Sequence, residues 1–157
     1  VDISLREMPS TRVFGFQIWN NDLIKFKEKL GLPLGKKYDV FIPEIFLEDD
    51  ELKKAVVRGI FDTDGCVYFM KRPNGLYPSL EIVSISQILI KQLLKIFEEL
   101  GIRATSYGWQ GKGNRLKAYK VMIRGNDMFH KFIEIIKPAN PKHVKKYVFY
   151  KEKALNN

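Results

Sequence analysis

Val56-Val57-Arg58-Gly59-Ile60-Phe61-Asp62-Thr63-Asp64-Gly65 is the stretch on which the reading of this chain turns. Leading into it, Leu52, Ala55, Val56 and Gly59 fall at i, i+3, i+4 and i+7, one stripe of a helix. Glu48, Asp49, Asp50 and Glu51 put negative charge at the helix N-terminus, where the macrodipole favours it, and Gly65 predicts the stop. The helix therefore ends in two carboxylates, at the end of the dipole that prefers cations. Asp62 and Asp64 cost stability there unless a cation compensates them, which points to a divalent metal. Gly59 is about 1 kcal/mol worse than Ala inside a helix. Bare backbone on an apolar stripe suits the close approach of a second helix.

Working outward, the 157 residues suit one domain with a real core, and a hydrophobic content of 45% argues against global disorder. Lys and Arg number 27 against 18 Asp and Glu, a net charge of +9, which favours a polyanionic partner, nucleic acid before membrane. No apolar run approaches the ~18–20 residues of a membrane span, so no membrane partner is expected. The single cysteine, Cys66, excludes an internal disulfide framework and suits a reducing, intracellular (cytoplasmic) compartment. With one Cys and only His130 and His143 beside it, zinc is a poor fit.

Before the central helix, residues 1–10 read as a tail, and Arg12 to Trp19 reads as a strand with Phe14, Phe16 and Ile18 alternating. Asn20, Asn21 and Asp22 predict the cap of a helix to about Leu30, followed by a basic turn at Gly35-Lys36-Lys37 and a short extended piece, 38–42. After Gly65 the period becomes two: Cys66 to Arg72, an Asn-Gly turn at 73–75, then Tyr77 to Ser86. A helix follows over 87–100. A second hairpin covers 103–109 and 115–124, turned at Gly111-Lys112-Gly113-Asn114; Asn126-Asp127 caps a helix to about Ile136; a basic helix occupies 143–155. The glycines at 111 and 113 lack the spacing of a phosphate loop. The order helix, two strands, helix, two strands, helix, helix is α+β with an antiparallel sheet.

Residues 12–23 can be laid on 117–128 with Asp22 on Asp127, an offset of 105. Phe14 meets Tyr119, Phe16 meets Val121 and Ile18 meets Ile123. The N-terminal piece thus reads as the end of a preceding unit, and a longer natural protein is expected. The domain division expected is 1–45, a strand–helix segment, and 46–157.

Val57 to Gly65 resembles the nine-residue signature of the LAGLIDADG homing endonucleases, departing from it at Val57, Arg58 and Thr63 without losing an acid or the packing glycine. The resemblance covers about 45–157. It implies an αββαββα unit with a four-stranded, saddle-shaped antiparallel sheet over DNA, and motif helices paired two by two. With one motif present, the chain resembles the homodimeric kind or one half of a two-motif enzyme, free-standing or part of an intein or intron-encoded protein. The implied activity is site-specific cleavage of double-stranded DNA with Mg²⁺, or Mn²⁺ in its place. The alternative is a cleavage-deficient relative that serves as an RNA splicing helper or a DNA-binding regulator.

The resemblance assigns the metal to Asp64, with Asp62 beside it as helix-terminal support, and the ordering of water to Gln87, which equally suits the first turn of a helix after Ser86. Lys91 is a possible electrostatic helper. Of the lysines in Pro141-Lys142-His143-Val144-Lys145-Lys146, Lys142 is preferred and Lys145 second. Leu52, Ala55, Val56 and Gly59 form the expected interface with a second copy or half. On the strands, Tyr119, Val121 and Ile123 suit the core, which turns Lys120 and Arg124 outward; Lys71, Arg72, Arg103 and Lys117 extend the basic set that would contact DNA. Tyr77, Tyr107 and Trp109 suit either base contacts or core. The parity of 79–86 stays open, because Ile82 and Val83 are adjacent and both apolar.

Overall fold

A computed structural model describes residues 6–8, 13–15, 18–32, 38–73, 75–111, 113 and 116–155. The chain divides into two compact units, Val1–Leu32 and Pro33–Asn157.

In the first unit, β1 (Arg6–Met8) pairs antiparallel with β2 (Val13–Gly15), Arg6 opposite Gly15 and Met8 opposite Val13. The expected tail is thus a strand of a hairpin: its three residues are too few to show a period, and the pairing supplies what the pattern lacks. α1 (Asn21–Lys29) starts where Asn20 Oδ1 accepts from Leu23 N at 2.9 Å. Phe16 of the expected alternation lies outside the described residues, as does the basic turn at 35–37.

The second unit opens with a connector threaded through the core. Ile42 is buried, and its N–H and carbonyl are both held by the Gln92 amide, at 2.8 and 2.9 Å. Residues 38–45 therefore belong with the larger unit, which begins earlier than the expected boundary at 45. A 3₁₀ turn at Glu44–Phe46 leads into α2 (Asp50–Asp64), capped by Asp49, whose Oδ1 accepts from Leu52 N. The remaining elements are β3 (Gly65–Arg72), β4 (Gly75–Ser84), α3 (Gln87–Glu99), β5 (Ala104–Gln110), β6 (Lys117–Arg124), α4 (Asn126–Ile136) and α5 (Pro141–Leu155). Asn74 and the loop residues Lys112, Asn114 and Arg115 lie outside the described residues.

The four strands form one antiparallel sheet in the order β3-β4-β6-β5, so two hairpins meet through their second strands. Val67, Leu80, Ile82, Val121 and Ile123 point to one face and are buried. Phe61 of α2, Leu93 and Phe97 of α3, and Phe129 and Phe132 of α4 bury themselves in the same core. α5 joins it through Tyr150, stacked on Phe69 with ring centroids 5.6 Å apart. This is the α+β arrangement expected. The packing also settles β4: Ile82 is buried and Val83 is 40% exposed, on opposite faces.

Three local expectations change. α4 is capped at Gly125, not by Asn126 or Asp127: Gly125 sits at φ +92°, a turn no L side chain takes easily, and the two polar residues fall inside the first turn. α5 begins at Pro141, because proline fits the first helical position, where its missing N–H is no loss. Gly65 ends α2 with extended backbone, φ −81° and ψ 155°, so it is not a left-handed stop. A Cβ there would overlap the Phe61 carbonyl oxygen and ring. Glycine is required because the strand leaves directly against the buried Phe61.

Candidate functional site

α2 buries Val57 and Phe61, one turn apart, and leaves Leu52, Ala55 and Gly59 exposed with Val56 half-buried. An added Cβ at Gly59 would meet nothing within 4 Å. The stripe that drew attention in the sequence is thus not the one that packs this unit. Of the three departures from the family signature, Val57 is fully buried, and Arg58 donates from Nε to the Ile136 carbonyl at 2.7 Å, closing the C-terminus of α4. Thr63 turns its hydroxyl back on its own helix, to the Gly59 and Ile60 carbonyls.

The two acids at the end of α2 have different surroundings. Asp62 accepts from Ala139 N (2.9 Å to Oδ2, 3.2 Å to Oδ1) and from Asn140 N (3.1 Å), while its carbonyl accepts from Asn140 Nδ2 at 2.7 Å. Asp64 is exposed, and among the described residues its carboxylate has no hydrogen-bond or ion-pair partner. A free carboxylate at the negative end of a helix dipole is electrostatically unfavourable unless a cation compensates it.

The start of α5 lies against that same end. Asn140 Oδ1 accepts from Lys142 N at 3.0 Å. His143 is buried with its ring 4.5 Å from that of Phe61; burial lowers its pKa, the Asp62 charge opposes the shift, and its Nδ1 has no partner among the described residues. Lys146 donates to the Val67 carbonyl, so its ammonium serves the fold. Lys142 and Lys145 are exposed.

Gly65 pairs with Ile82, which brings the end of α2 to the end of β4. Gln87, three residues beyond Ser84, opens α3 and is exposed; Ser86 caps the helix, its Oγ accepting from Leu89 N and donating to the Val40 carbonyl at 2.6 Å. Lys91 is exposed one turn on. The end of α2, the end of β4 that leads to Gln87, and the start of α5 therefore lie at the same end of the sheet.

The sheet face away from the helices carries Arg72 on β3, Glu81 on β4, Lys120 and Arg124 on β6, and Tyr107 and Trp109 on β5. Tyr107 is 58% exposed and stacks on Trp109 with centroids 6.3 Å apart. The Arg72 guanidinium lies 4.9 Å from the Tyr77 ring centre. Lys120 forms a 3.2 Å ion pair with Glu81. Of the other basic residues expected together, Lys71 and Lys117 alternate onto the helix-bearing side, at strand ends, where Lys117 lies over Tyr119, and Arg103 precedes β5.

Sequence reasoning missed Asn140 and Glu81. Asn140 before Pro141 is a cap-then-proline signature and was findable. Glu81 gives no signal of its own, because one acid on an alternating strand is common.

The larger unit thus presents a four-stranded antiparallel sheet with one face under helices and the other open and partly basic, next to an exposed acid at the end of a helix. A model of the LAGLIDADG-like domain family matches residues 51–137, more than half of the chain, from α2 through α4. The chain belongs to this family, whose members are nucleic-acid-binding and endonuclease proteins. No curated protein matches the sequence. Among the described residues, no helix is long and apolar enough to cross a membrane.

Proposed function

We propose that the chain is a metal-dependent, site-specific endonuclease for double-stranded DNA, of the homing type, working as a homodimer or with a second LAGLIDADG half. The observation that carries this reading is the free Asp64 carboxylate at the exposed end of the motif helix. Mg²⁺ fits such a place, because it needs only one or two protein carboxylates and takes its other ligands from water and phosphate. Among the described residues, no group of three His, Cys, Asp or Glu lies together to hold a metal by itself. Of the two acids expected at the metal, Asp64 is the better ligand, since Asp62 already accepts from two backbone amides. A bound Mg²⁺, or Mn²⁺, supplies charge compensation at the scissile phosphate.

The chain's own groups do the rest. Gln87 orients the attacking water through its amide. Lys142, with Lys145 behind it, adds positive charge where phosphate charge builds up. Arg72, Lys120 and Arg124 meet the duplex on the open sheet face, where long polar side chains on alternate positions reach base edges and phosphates. One motif helix offers one free aspartate, Asp64, and cutting two strands needs two. Pairing through Leu52, Ala55, Val56 and Gly59 brings a second Asp64 close, and their mutual repulsion strengthens the demand for metal.

Cleavage of a plasmid library in Mg²⁺, with Asp64→Asn alongside, tests the reading. Cutting by the native chain and none by the variant is expected. Equal cutting by both, or none by a confirmed dimer, refutes it, and salt-dependent binding without cutting would mark a regulator or splicing helper instead.

A further inference from the structure

We propose that Asp62 is a positioning residue, which docks the start of α5 on the end of α2 and thereby fixes Lys142 at the cleavage site. The inference rests on the endonuclease reading above for what Lys142 does, but not for the dock itself. Asp62 reaches across 77 and 78 residues of sequence to Ala139 N and Asn140 N, and both carboxylate oxygens are occupied. Asn140 closes the junction in three further ways. Its Nδ2 donates to the Asp62 carbonyl, its Oδ1 accepts from Lys142 N, and its own carbonyl accepts from His143 N (2.9 Å) and Val144 N (3.2 Å). The first turn of α5 therefore hangs from Asn140, and Asn140 hangs from Asp62.

Two contacts keep that turn from pivoting. The buried His143 ring packs on Phe61, the residue before Asp62, and Lys146 anchors one turn further along to the Val67 carbonyl. Lys142 immediately precedes these anchors, with its backbone held by Asn140 and its side chain exposed. Asp64 lies two residues from Asp62 in the same last turn of α2. The motif's two acids thus divide the work: one faces solvent, and the other registers a distant lysine against it.

A dock and a metal ligand respond differently to substitution. Asp62→Asn keeps Oδ1, which accepts from both amides, whereas Asp62→Ala keeps nothing. For a ligand, both substitutions remove the carboxylate charge, so Mn²⁺ affinity would fall in both. The test compares Asp62→Asn, Asp62→Ala and Asp64→Asn by amide hydrogen exchange, Mn²⁺ titration and plasmid-library cleavage. Asp62→Ala is expected to speed exchange at 139–146, leave the Mn²⁺ dissociation constant within about twofold, and lower kcat by about tenfold to a hundredfold at unchanged KM, the scale of a misplaced group. Asp62→Asn should give the same changes in weaker form. Unchanged exchange in Asp62→Ala, or loss of Mn²⁺ affinity matching that of Asp64→Asn, overturns the proposal. If the native chain does not cut, the endonuclease reading fails, and the exchange and Mn²⁺ results still decide the dock.

Discussion

Gly59→Ala separates what α2 does within one chain from what it does between chains. Gly59 lies inside a helix of 15 residues, and an added Cβ would touch nothing within 4 Å. Within a single chain the methyl therefore brings only the propensity gain of Ala over Gly, about 0.8–1.0 kcal/mol. For a chain of this size that raises Tm by about 2–4 °C. Between chains the sign reverses. If the Leu52–Ala55–Val56–Gly59 stripe packs on its counterpart, two-fold symmetry places both methyls in the contact. Overpacking costs about 1–3 kcal/mol per site, so dimerisation weakens by about 2 kcal/mol or more, at least about thirtyfold in Kd. Sedimentation equilibrium gives the association, and thermal melts at a concentration where the protein is monomeric give the intrinsic stability. A higher Tm with unchanged association would refute pairing through this face. A lower monomer Tm would refute the exposure of Gly59.

Gly65→Ala forces a methyl into the Phe61 carbonyl and its buried ring; neither can retreat, so a loss of about 1–3 kcal/mol or more is expected in urea melts, and a change under about 0.5 kcal/mol would contradict the close approach. His143 has its pKa lowered below 6.5 by burial, so below about pH 6.5 the unfolded chain takes up a proton that the folded chain refuses, and stability falls with falling pH. Urea midpoints between pH 7.5 and 5.5 should drop in the native chain and flatten in His143→Gln; parallel curves would count against it. Glu81→Gln removes the one acid that pairs with Lys120 on the open face among the described residues, so duplex DNA affinity should rise and the salt dependence steepen by about one counterion. An unchanged slope would mean that Lys120 does not meet phosphate.

The parts of this molecule that repeat with a short period were legible. Lys120 and Arg124 had to face away from Val121 and Ile123 once 117–124 was a strand, because alternation leaves no choice. Ile82 and Val83 defeated the same rule, since two adjacent apolar residues satisfy either parity, and only the packing of Ile82 against the helices decides. The two acids of the motif were visible, but their difference was not: the partners of Asp62 are 77 and 78 residues away, and no local pattern encodes such a contact. Gly65 was read as a helix stop for its conformational freedom, whereas what makes glycine necessary is the Phe61 ring, four residues back and buried from above by Phe132. The stripe through Gly59 was legible as an apolar face but not as an uncovered one, because periodicity reports that a face is apolar and never what lies on it.

The order of strands has a consequence for how the larger unit assembles. β3 with β4 and β5 with β6 are hairpins whose ends are close along the chain, so each closes a short loop and can form early. The β4–β6 seam is different: Ile82 meets Val121 only after α3 and β5 have been looped out between them. That closure is the slow step the topology imposes. α3 contacts β4, β5 and β6 and so bridges the seam, which makes Leu93 and Phe97 the side chains that reward the closure as it happens. A truncation of either residue should slow folding more than it speeds unfolding, whereas one at the hairpin tips should leave the folding rate nearly untouched.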